Sequence, residues 1–255
     1  RAQARQGPSP IAVPPLATAC PTMAPGRVAE VRECVASPEP LGREAPSNAA
    51  PPVGSARNIN MQAALAEGLA MALFVIVGCG TACGHGASDG ETRLVVAFAF
   101  GMGILVLAYT IGHISGGQIN CAVTFSLVLG GHLPWYQGIM NTLSQLVGSM
   151  LGALVVAALF PCERDLTGNL ASQVISEDFG VGRAFIGEVI GTFLLCMVVW
   201  ETAVSPRSQA GSNACVAIGF AVFLAHLVLL PIDGCSINPT RSFGSAIVAN
   251  LRRSC

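Results

Sequence analysis

One uncharged stretch constrains the fold of this chain more than any other feature. Residues 94–162 contain no Asp, Glu, Lys or Arg. One helix cannot be that long, and Gly, Pro and His residues divide the stretch into shorter parts. Because about 20 apolar residues span a bilayer, the stretch predicts several consecutive membrane crossings.

The composition excludes several classes of function. The chain is 52% hydrophobic and 11% charged, with a mean hydropathy of +0.62, whereas soluble domains carry about 25% charged residues. The net charge of −1 provides no basic surface, so we expect no nucleic-acid partner. We expect no metal site, because Cys79 and Cys83 share a helix face without the further ligands that a structural site uses. The candidate residues form no nucleophile–base set, so we expect no enzyme activity and no cofactor.

The chain divides into a tail and a membrane domain. Residues 1–57 hold 11 of the 16 prolines and show no apolar periodicity, which is typical of disordered segments. We therefore predict a disordered N-terminal tail at residues 1–58, a membrane domain at residues 59–250 and a short C-terminal stub at residues 251–255.

The membrane domain contains two kinds of apolar segment. Five segments are long enough to cross a bilayer, at residues 61–83, 94–111, 137–160, 184–200 and 214–232. Two others, at residues 120–129 and 238–249, are too short to cross. We interpret the short segments as half-helices that enter the membrane and stop partway, and residues 201–213 as a loop.

Two related motifs introduce the half-helices. Residues 115–124 read Ser-Gly-Gly-Gln-Ile-Asn-Cys-Ala-Val-Thr, and residues 234–243 read Gly-Cys-Ser-Ile-Asn-Pro-Thr-Arg-Ser-Phe. Each motif places Ile-Asn where its half-helix starts. Asn is favoured at a helix N-cap and Pro at the first helical position, so both motifs predict helix starts inside the membrane.

The two halves of the domain repeat each other. Glu67 lies 53 residues before Asn120 (120 − 67), and Glu188 lies 50 residues before Asn238 (238 − 188). Three crossings separate the equivalent points, and an odd number inverts the second copy, as in many transporters and channels. We therefore predict an all-α membrane protein with an inverted repeat of five transmembrane helices and two re-entrant half-helices. By symmetry a sixth crossing should follow residue 249, and we expect the chain to be truncated before it.

These motifs resemble the aquaporin (major intrinsic protein) family, in its water-selective type, over about residues 59–250. The paired motif of that family is Asn-Pro-Ala. Its copies here are Asn120, Cys121 and Ala122, and Asn238, Pro239 and Thr240. The resemblance implies that both asparagine amides donate hydrogen bonds to permeating water. The first copy lacks the proline that fixes φ at a helix start, so we expect a looser junction there.

The resemblance also implies a constriction. The matching positions are Phe100, His226, Cys235 and Arg241. Glycerol-passing members generally have a small residue in place of His226 and Asp in place of Ser242, so this set resembles water-selective members. Without the resemblance, His226 could be a core histidine, Phe100 a lipid-facing or core side chain and Cys235 an inert thiol.

Three polar residues are predicted to be buried and structural. A carboxylate inside an apolar span is costly unless it is paired or functional. We expect Glu67 and Glu188 to bond the backbone of the re-entrant loops rather than to relay protons. We expect His113 to be a buried hydrogen-bonding anchor near the first loop.

As a whole, the resemblance implies a passive water channel: a multi-pass integral protein of a lipid bilayer, assembled as a homotetramer. Two alternatives remain at the level of the sequence. The missing sixth crossing favours a non-conducting, truncated aquaporin-like membrane protein. The other alternative is a channel that passes other small neutral solutes, such as glycerol, hydrogen peroxide or ammonia.

Overall fold

The structure is a computed structural model that describes residues 58–252. Almost all of the predicted tail, and the stub from residue 253 onward, lie outside the described residues. The described chain is helical and contains no β-strand between residues 58 and 252. Its α-helices are α1 (Met61–His85), α2 (Gly90–Ser115), α3 (Cys121–Leu129), α4 (Trp135–Leu159), α5 (Val181–Val199), α6 (Ala214–Asp233) and α7 (Pro239–Leu251).

Five of these helices are long and apolar enough to cross a membrane: α1, α2, α4, α5 with its continuation to Val204, and α6 with the turn before it. The helices α3 and α7 have 9 and 13 residues. At 1.5 Å per residue they are about 14 and 20 Å long, shorter than the hydrocarbon core of about 30 Å. The predicted fold of five crossings and two half-helices is confirmed.

Some helix boundaries differ from the prediction for local reasons. The helix α2 begins at Gly90 because Asp89 caps it: its carboxylate accepts from the Thr92 N–H at 2.9 Å, and the Thr92 hydroxyl accepts from the Asp89 N–H at 3.3 Å. After α5, Trp200–Val204 continue as a π-helical turn, in which the Ser205 N–H donates to the Trp200 carbonyl at 2.8 Å. The prediction of a loop was therefore wrong for residues 201–204.

Small residues let the long helices approach each other closely. A side chain at Gly148 on α4 would overlap the backbone of Gly68 on α1. Gly101 on α2 and Gly219 on α6 face each other in the same way, each against the carbonyl of the other. Close backbone approach at small residues is the usual packing mode of helices in membranes, where burial of apolar surface does not drive association.

The helices form an inverted repeat. The first unit comprises α1 to α4, the second comprises α5 to α7, and the half-helices α3 and α7 begin at the same place from opposite directions. The sixth crossing that symmetry predicts has no counterpart among residues 58–252. The two units meet where the half-helices start, and this junction holds the candidate site.

Candidate functional site

Each half-helix begins at an asparagine that caps it. The Asn120 Oδ1 accepts from the Ala122 N–H at 2.9 Å, and the Asn238 Oδ1 accepts from the Arg241 N–H at 3.3 Å. Pro239 occupies the first turn of α7, where its missing N–H has no cost because that group would have no helical partner. Both asparagines are buried, so their remaining polar atoms need partners.

The two asparagines also link the half-helices to each other. The Asn120 Nδ2 donates to the Ile237 carbonyl at 2.7 Å, and the Asn238 Nδ2 donates to the Ile119 carbonyl at 2.7 Å. The two helix starts therefore abut. An amide nitrogen carries two hydrogens, so after one bond to a carbonyl each Nδ2 keeps one hydrogen. Both asparagines line the same cavity, which is where that hydrogen can act.

The isoleucine before each asparagine has a strained backbone. Ile119 has φ +48° and Ile237 has φ +44°, a region that β-branched residues rarely occupy. Such conformations cost on the order of 1–3 kcal/mol each. The Ile119 N–H donates to Glu67 at 2.7 Å and the Ile237 N–H donates to Glu188 at 2.6 Å. Each strained peptide is thus held by a carboxylate at its N–H and by the opposite asparagine at its carbonyl.

Glu67 is the anchor of the first loop. It is fully buried and accepts four hydrogen bonds: from the Ser115 hydroxyl at 2.6 Å, the Gln118 N–H at 2.8 Å, the Ile119 N–H at 2.7 Å and the Gln145 Nε2 at 2.8 Å. Four donors can satisfy an ionised carboxylate even without water. The residue is placed to hold a loop, and its oxygens are all occupied.

Glu188 and His113 differ from their predicted burial. Glu188 accepts from the Ser236 N–H at 2.7 Å and from the Ile237 N–H at 2.6 Å, but its side chain is only half-buried. The prediction that His113 is buried is wrong, because its side chain is exposed. It lies two residues beyond the buried Ile111, about 200° around the helix, and therefore faces away from the packed side of α2.

Sequence reasoning missed a row of buried polar side chains on α4. The row consists of Gln137, Asn141, Gln145 and Ser149. The Gln137 Nε2 donates to Asn141 at 2.7 Å, and the Asn141 Nδ2 donates to Gln118 at 3.0 Å. Their spacing of four residues puts them on one face of a helix, which was a readable signal in an otherwise apolar segment. The row supports the first re-entrant loop from behind.

Three of the four predicted constriction residues come together. The rings of Phe100 and His226 are stacked, with centroids 4.5 Å apart and 22° between their planes. The Arg241 Cζ lies 4.9 Å from the centroid of Phe100, a cation–π distance. All three side chains are buried. Gly78 on α1 makes room for them, because a side chain there would overlap the Phe100 ring.

Several buried polar atoms of this cluster are available to bind a small polar molecule. The His226 Nδ1 lies 2.8 Å from the Val222 carbonyl, which can only accept, so the neutral ring presents Nε2 as an acceptor. The His226 Nε2 and the Arg241 Nε and Nη1 are buried and find no hydrogen-bond partner within the described part of the chain. Leaving such groups unpaired costs about 1–3 kcal/mol or more each, so the cluster is suited to a small polar molecule.

The cluster separates two cavities. On one side, a cavity is lined by Asn120, Asn238 and His226 together with apolar side chains such as Ile104. On the other side, a wider cavity is lined by Phe100 and Arg241 and by residues of the loop at 166–174. The three side chains of the cluster lie between these cavities, since His226 lines the first and Phe100 and Arg241 line the second.

The fourth predicted residue, Cys235, takes a different position. Its side chain is fully buried and lines neither cavity. Its N–H donates to Asp233 at 3.0 Å, and its carbonyl accepts from the Gln173 Nε2 at 3.1 Å. The structure therefore brings the backbone of Cys235, rather than its thiol, into hydrogen bonds with neighbouring side chains.

The loop that supplies Gln173, residues 161–180, is called the strap loop here. Asp165 holds it by accepting from the Thr167 N–H at 3.0 Å and the Leu170 N–H at 2.9 Å. Burial raises the pKa of Asp165, but the Thr167 hydroxyl and the Leu170 N–H hold that pKa below its ordinary value. The Val174 N–H donates to the Asp233 carbonyl at 3.1 Å, which fastens the strap loop to the end of α6.

Comparisons with known proteins agree with this geometry. The family model described as major intrinsic protein matches residues 55–253. The chain is 38% identical to mouse aquaporin-5 over 189 residues, covering 74% of this chain and 70% of that protein. It is 38% identical to Arabidopsis thaliana aquaporin PIP2-7 over 201 residues, covering 76% and 71%, and 35% identical to human aquaporin-1 over 196 residues, covering 74% and 72%.

A solved structure has the same fold. The X-ray structure of the aquaglyceroporin from Plasmodium falciparum matches with a TM-score of 0.67 and 18% sequence identity, covering 76% of this chain and 82% of that chain. At this identity the likeness concerns the arrangement of the helices and says nothing about which solute passes.

Proposed function

Because the chain belongs to the major intrinsic protein family, the aquaporin channels of membranes, we propose that it conducts water passively and excludes glycerol. One observation carries the choice of water. The Phe100, His226 and Arg241 cluster leaves buried polar atoms without hydrogen-bond partners among residues 58–252, beside two stacked rings. A water molecule is small enough to pass beside these side chains, and it can both donate to the His226 Nε2 and accept from Arg241.

In this proposal the two cavities form one path for water, and the polar groups of the cluster and of the asparagines act in sequence along it. A water molecule that enters gives up hydrogen bonds to other water molecules. It first binds Arg241 and His226, and then the free amide hydrogens of Asn120 and Asn238. Each contact replaces part of what the molecule gives up on entering an apolar channel. A larger polyol has carbon atoms that must fit beside the Phe100 ring, so bulk at His226 is what excludes it.

Exclusion of protons and cations follows from fixed positive charge. Each half-helix start carries about +0.5 elementary charge from aligned peptide dipoles, and Arg241 adds a full charge. Both helix starts face the middle of the path, so a cation is repelled from two directions. Donor groups at that point also orient the oxygen of each water molecule toward the asparagines, in line with known channel selectivity by lining groups and barriers.

Stopped-flow light scattering on proteoliposomes tests the proposal. The expected result is osmotic water flux well above that of empty liposomes, with glycerol uptake at background. Water flux at the empty-liposome level would favour the non-conducting alternative. Glycerol, hydrogen peroxide or ammonia uptake above background with little water flux would favour the other solutes.

We also propose that the subunits assemble as a homotetramer, which the family resemblance implies. Supporting it, α1 presents a row of exposed apolar side chains at Leu65, Leu69 and Leu73, which a neighbouring subunit or lipid must cover. Native mass spectrometry from mild detergent should give four chains per particle, and a mass of one chain would contradict the proposal.

A further inference from the structure

We propose that Cys121 and Thr240, the two departures from the Asn-Pro-Ala pattern, form one coupled pair in which Thr240 is a positioning residue for both half-helix starts. Its hydroxyl satisfies the extra N–H that Cys121 brings and orients the amide of Asn238. The part that concerns permeation rests on the proposed function. The pairing itself rests only on the hydrogen bonds of the junction.

The first step concerns the donor at Cys121. Proline has no backbone N–H, so an Asn-Pro-Ala motif places none at the first helical position. Cysteine restores that N–H at a junction where both asparagines are buried. The first N–H groups of a helix have no partner within it, and leaving one unpaired at this part-buried position is destabilising. Here the Cys121 N–H donates to the Thr240 Oγ1 at 3.3 Å.

The second step concerns the acceptor at Thr240. Alanine at this position would offer no acceptor, whereas a hydroxyl offers two lone pairs and one hydrogen. Thr240 is buried, and its hydroxyl donates to the Asn238 Oδ1 at 2.7 Å, with the Gln145 Oε1 farther away at 3.3 Å. One atom therefore receives a bond from the first half-helix and gives one to the cap of the second.

The third step is the orientation of Asn238. Its Oδ1 accepts from both the Thr240 hydroxyl and the Arg241 N–H. Two donors at one end of the amide fix that end as oxygen, so the Nδ2 is directed to the Ile119 carbonyl and the cavity. A flipped amide would set its N–H against the Arg241 N–H, and it would lose the hydrogen bond that the Asn238 Oδ1 accepts from the Thr240 hydroxyl.

The pseudo-symmetric positions provide an internal comparison. The contact between residues 121 and 240 corresponds, in the inverted repeat, to the pair Pro239 and Ala122. Pro239 has no N–H to satisfy, and Ala122 has no hydroxyl to offer. The pair Cys121 and Thr240 therefore brings together a donor and an acceptor. The pair Pro239 and Ala122 contributes neither a donor nor an acceptor. A mixed pair, Cys with Ala, would leave an orphan donor at the junction.

A double-mutant cycle on the full chain tests the coupling. The variants are Cys121→Pro, Thr240→Ala and the double variant, which restores Asn-Pro-Ala in both motifs. The readouts are SDS-titration stability and water permeability per folded protein. Thr240→Ala should lower the folded-to-unfolded ratio roughly tenfold or more. The folded-to-unfolded ratio of the double variant should return to within about threefold of the wild-type ratio.

Two further variants separate positioning from simple packing. Thr240→Ser keeps the hydroxyl and should keep both stability and unit water permeability, whereas Thr240→Ala should lose permeability even in the fraction that stays folded. The matched control Ala122→Thr adds a hydroxyl opposite Pro239, where there is no donor, and should bring no stabilisation. If Thr240→Ala fails to fold, rescue of folding by the added Cys121→Pro change supports the pair.

Additive effects in the cycle, or failure of Thr240→Ser to keep stability, would overturn the proposal. The stability cycle does not depend on conduction. A wild-type chain without water flux would therefore reject the proposed function while leaving the pairing testable, and additive stability effects in a conducting chain would reject the pairing alone.

Discussion

At the scale of single residues, the junction of the two half-helices depends on two isoleucines whose backbone is both strained and hydrogen-bonded at its N–H and its carbonyl. Ile119 and Ile237 are strained, and the same peptides are bonded at both ends, by Glu67 or Glu188 and by an asparagine. The strain persists because the surroundings over-determine it, which is the usual situation at functional sites. Removing a carboxylate should therefore release both the loop and the strain.

The two glutamates should differ in importance. Glu67→Ala leaves four donors without an acceptor in a fully buried site, so we expect a loss of about 3 kcal/mol or more in unfolding free energy. Glu188→Ala is the matched control, because Glu188 accepts from the N–H groups of Ser236 and Ile237 and its side chain is half-buried, and it should lose less. SDS titration measures both, and an equal or larger loss for Glu188→Ala would contradict the burial argument.

His226 should set the size limit. His226→Ala removes one of the two stacked rings beside Arg241, so glycerol uptake into proteoliposomes should rise above background while water flux continues. Phe98→Ala is the control, because Phe98 lies on the same helix as Phe100 but is exposed. Unchanged glycerol uptake in His226→Ala would show that another residue sets the limit.

At the scale of elements, the sequence predicts what is local and misses what is tertiary. The lengths of the crossings and the Asn starts of α3 and α7 follow from apolar runs and capping residues. The π-helical turn at Trp200–Val204, the exposure of His113 and the positive φ of Ile237 depend on neighbouring elements. The polar row on α4 could be predicted only in part. Its four-residue spacing was visible in the sequence, but the side chains that it contacts were not.

Close packing of α2 against α6 is a second test at this scale. Gly101→Val would force a side chain into the Gly219 carbonyl and Phe223, so we expect a large fall in the yield of folded protein. Gly112→Val is the matched control on the same helix, because nothing lies within 4 Å of a side chain there. Size-exclusion chromatography measures the folded fraction, and equal yields would contradict the close approach.

The strap loop should loosen in acid. Because the folded-state pKa of Asp165 is depressed, its stabilisation is present above the ordinary value of about 3.9 and is lost as the pH falls through the folded-state pKa. Asp165→Asn should mimic this loss at neutral pH. Hydrogen exchange of residues 167–174 should become faster in the variant, while exchange in α1 stays unchanged. Equal exchange in both proteins would show that Asp165 does not hold the loop.

At the scale of the whole molecule, large apolar side chains are exposed and several polar side chains are buried. Large apolar side chains such as Leu65, Leu151 and Phe193 are exposed, while Glu67, Gln145 and Arg241 are buried. Soluble proteins have the opposite distribution. A bilayer supplies no hydrogen bonds, so irregular backbone at this depth must be paired inside the protein or line a wet path. The re-entrant loops are paired with Glu67 and Glu188 and line the cavity that holds both asparagines, as the proposed conduction requires.

The decisive measurement is the osmotic water flux through vesicles that contain either the wild type or Ala203→Trp. Ala203 is an exposed residue at the rim of the cavity that holds both asparagines, so a large side chain there should block the path without disturbing the junction. If water passes between the two half-helix starts, flux should be well above that of empty vesicles for the wild type and near background for Ala203→Trp. Equal flux in the two proteins, or none in the wild type, would contradict conduction by this route.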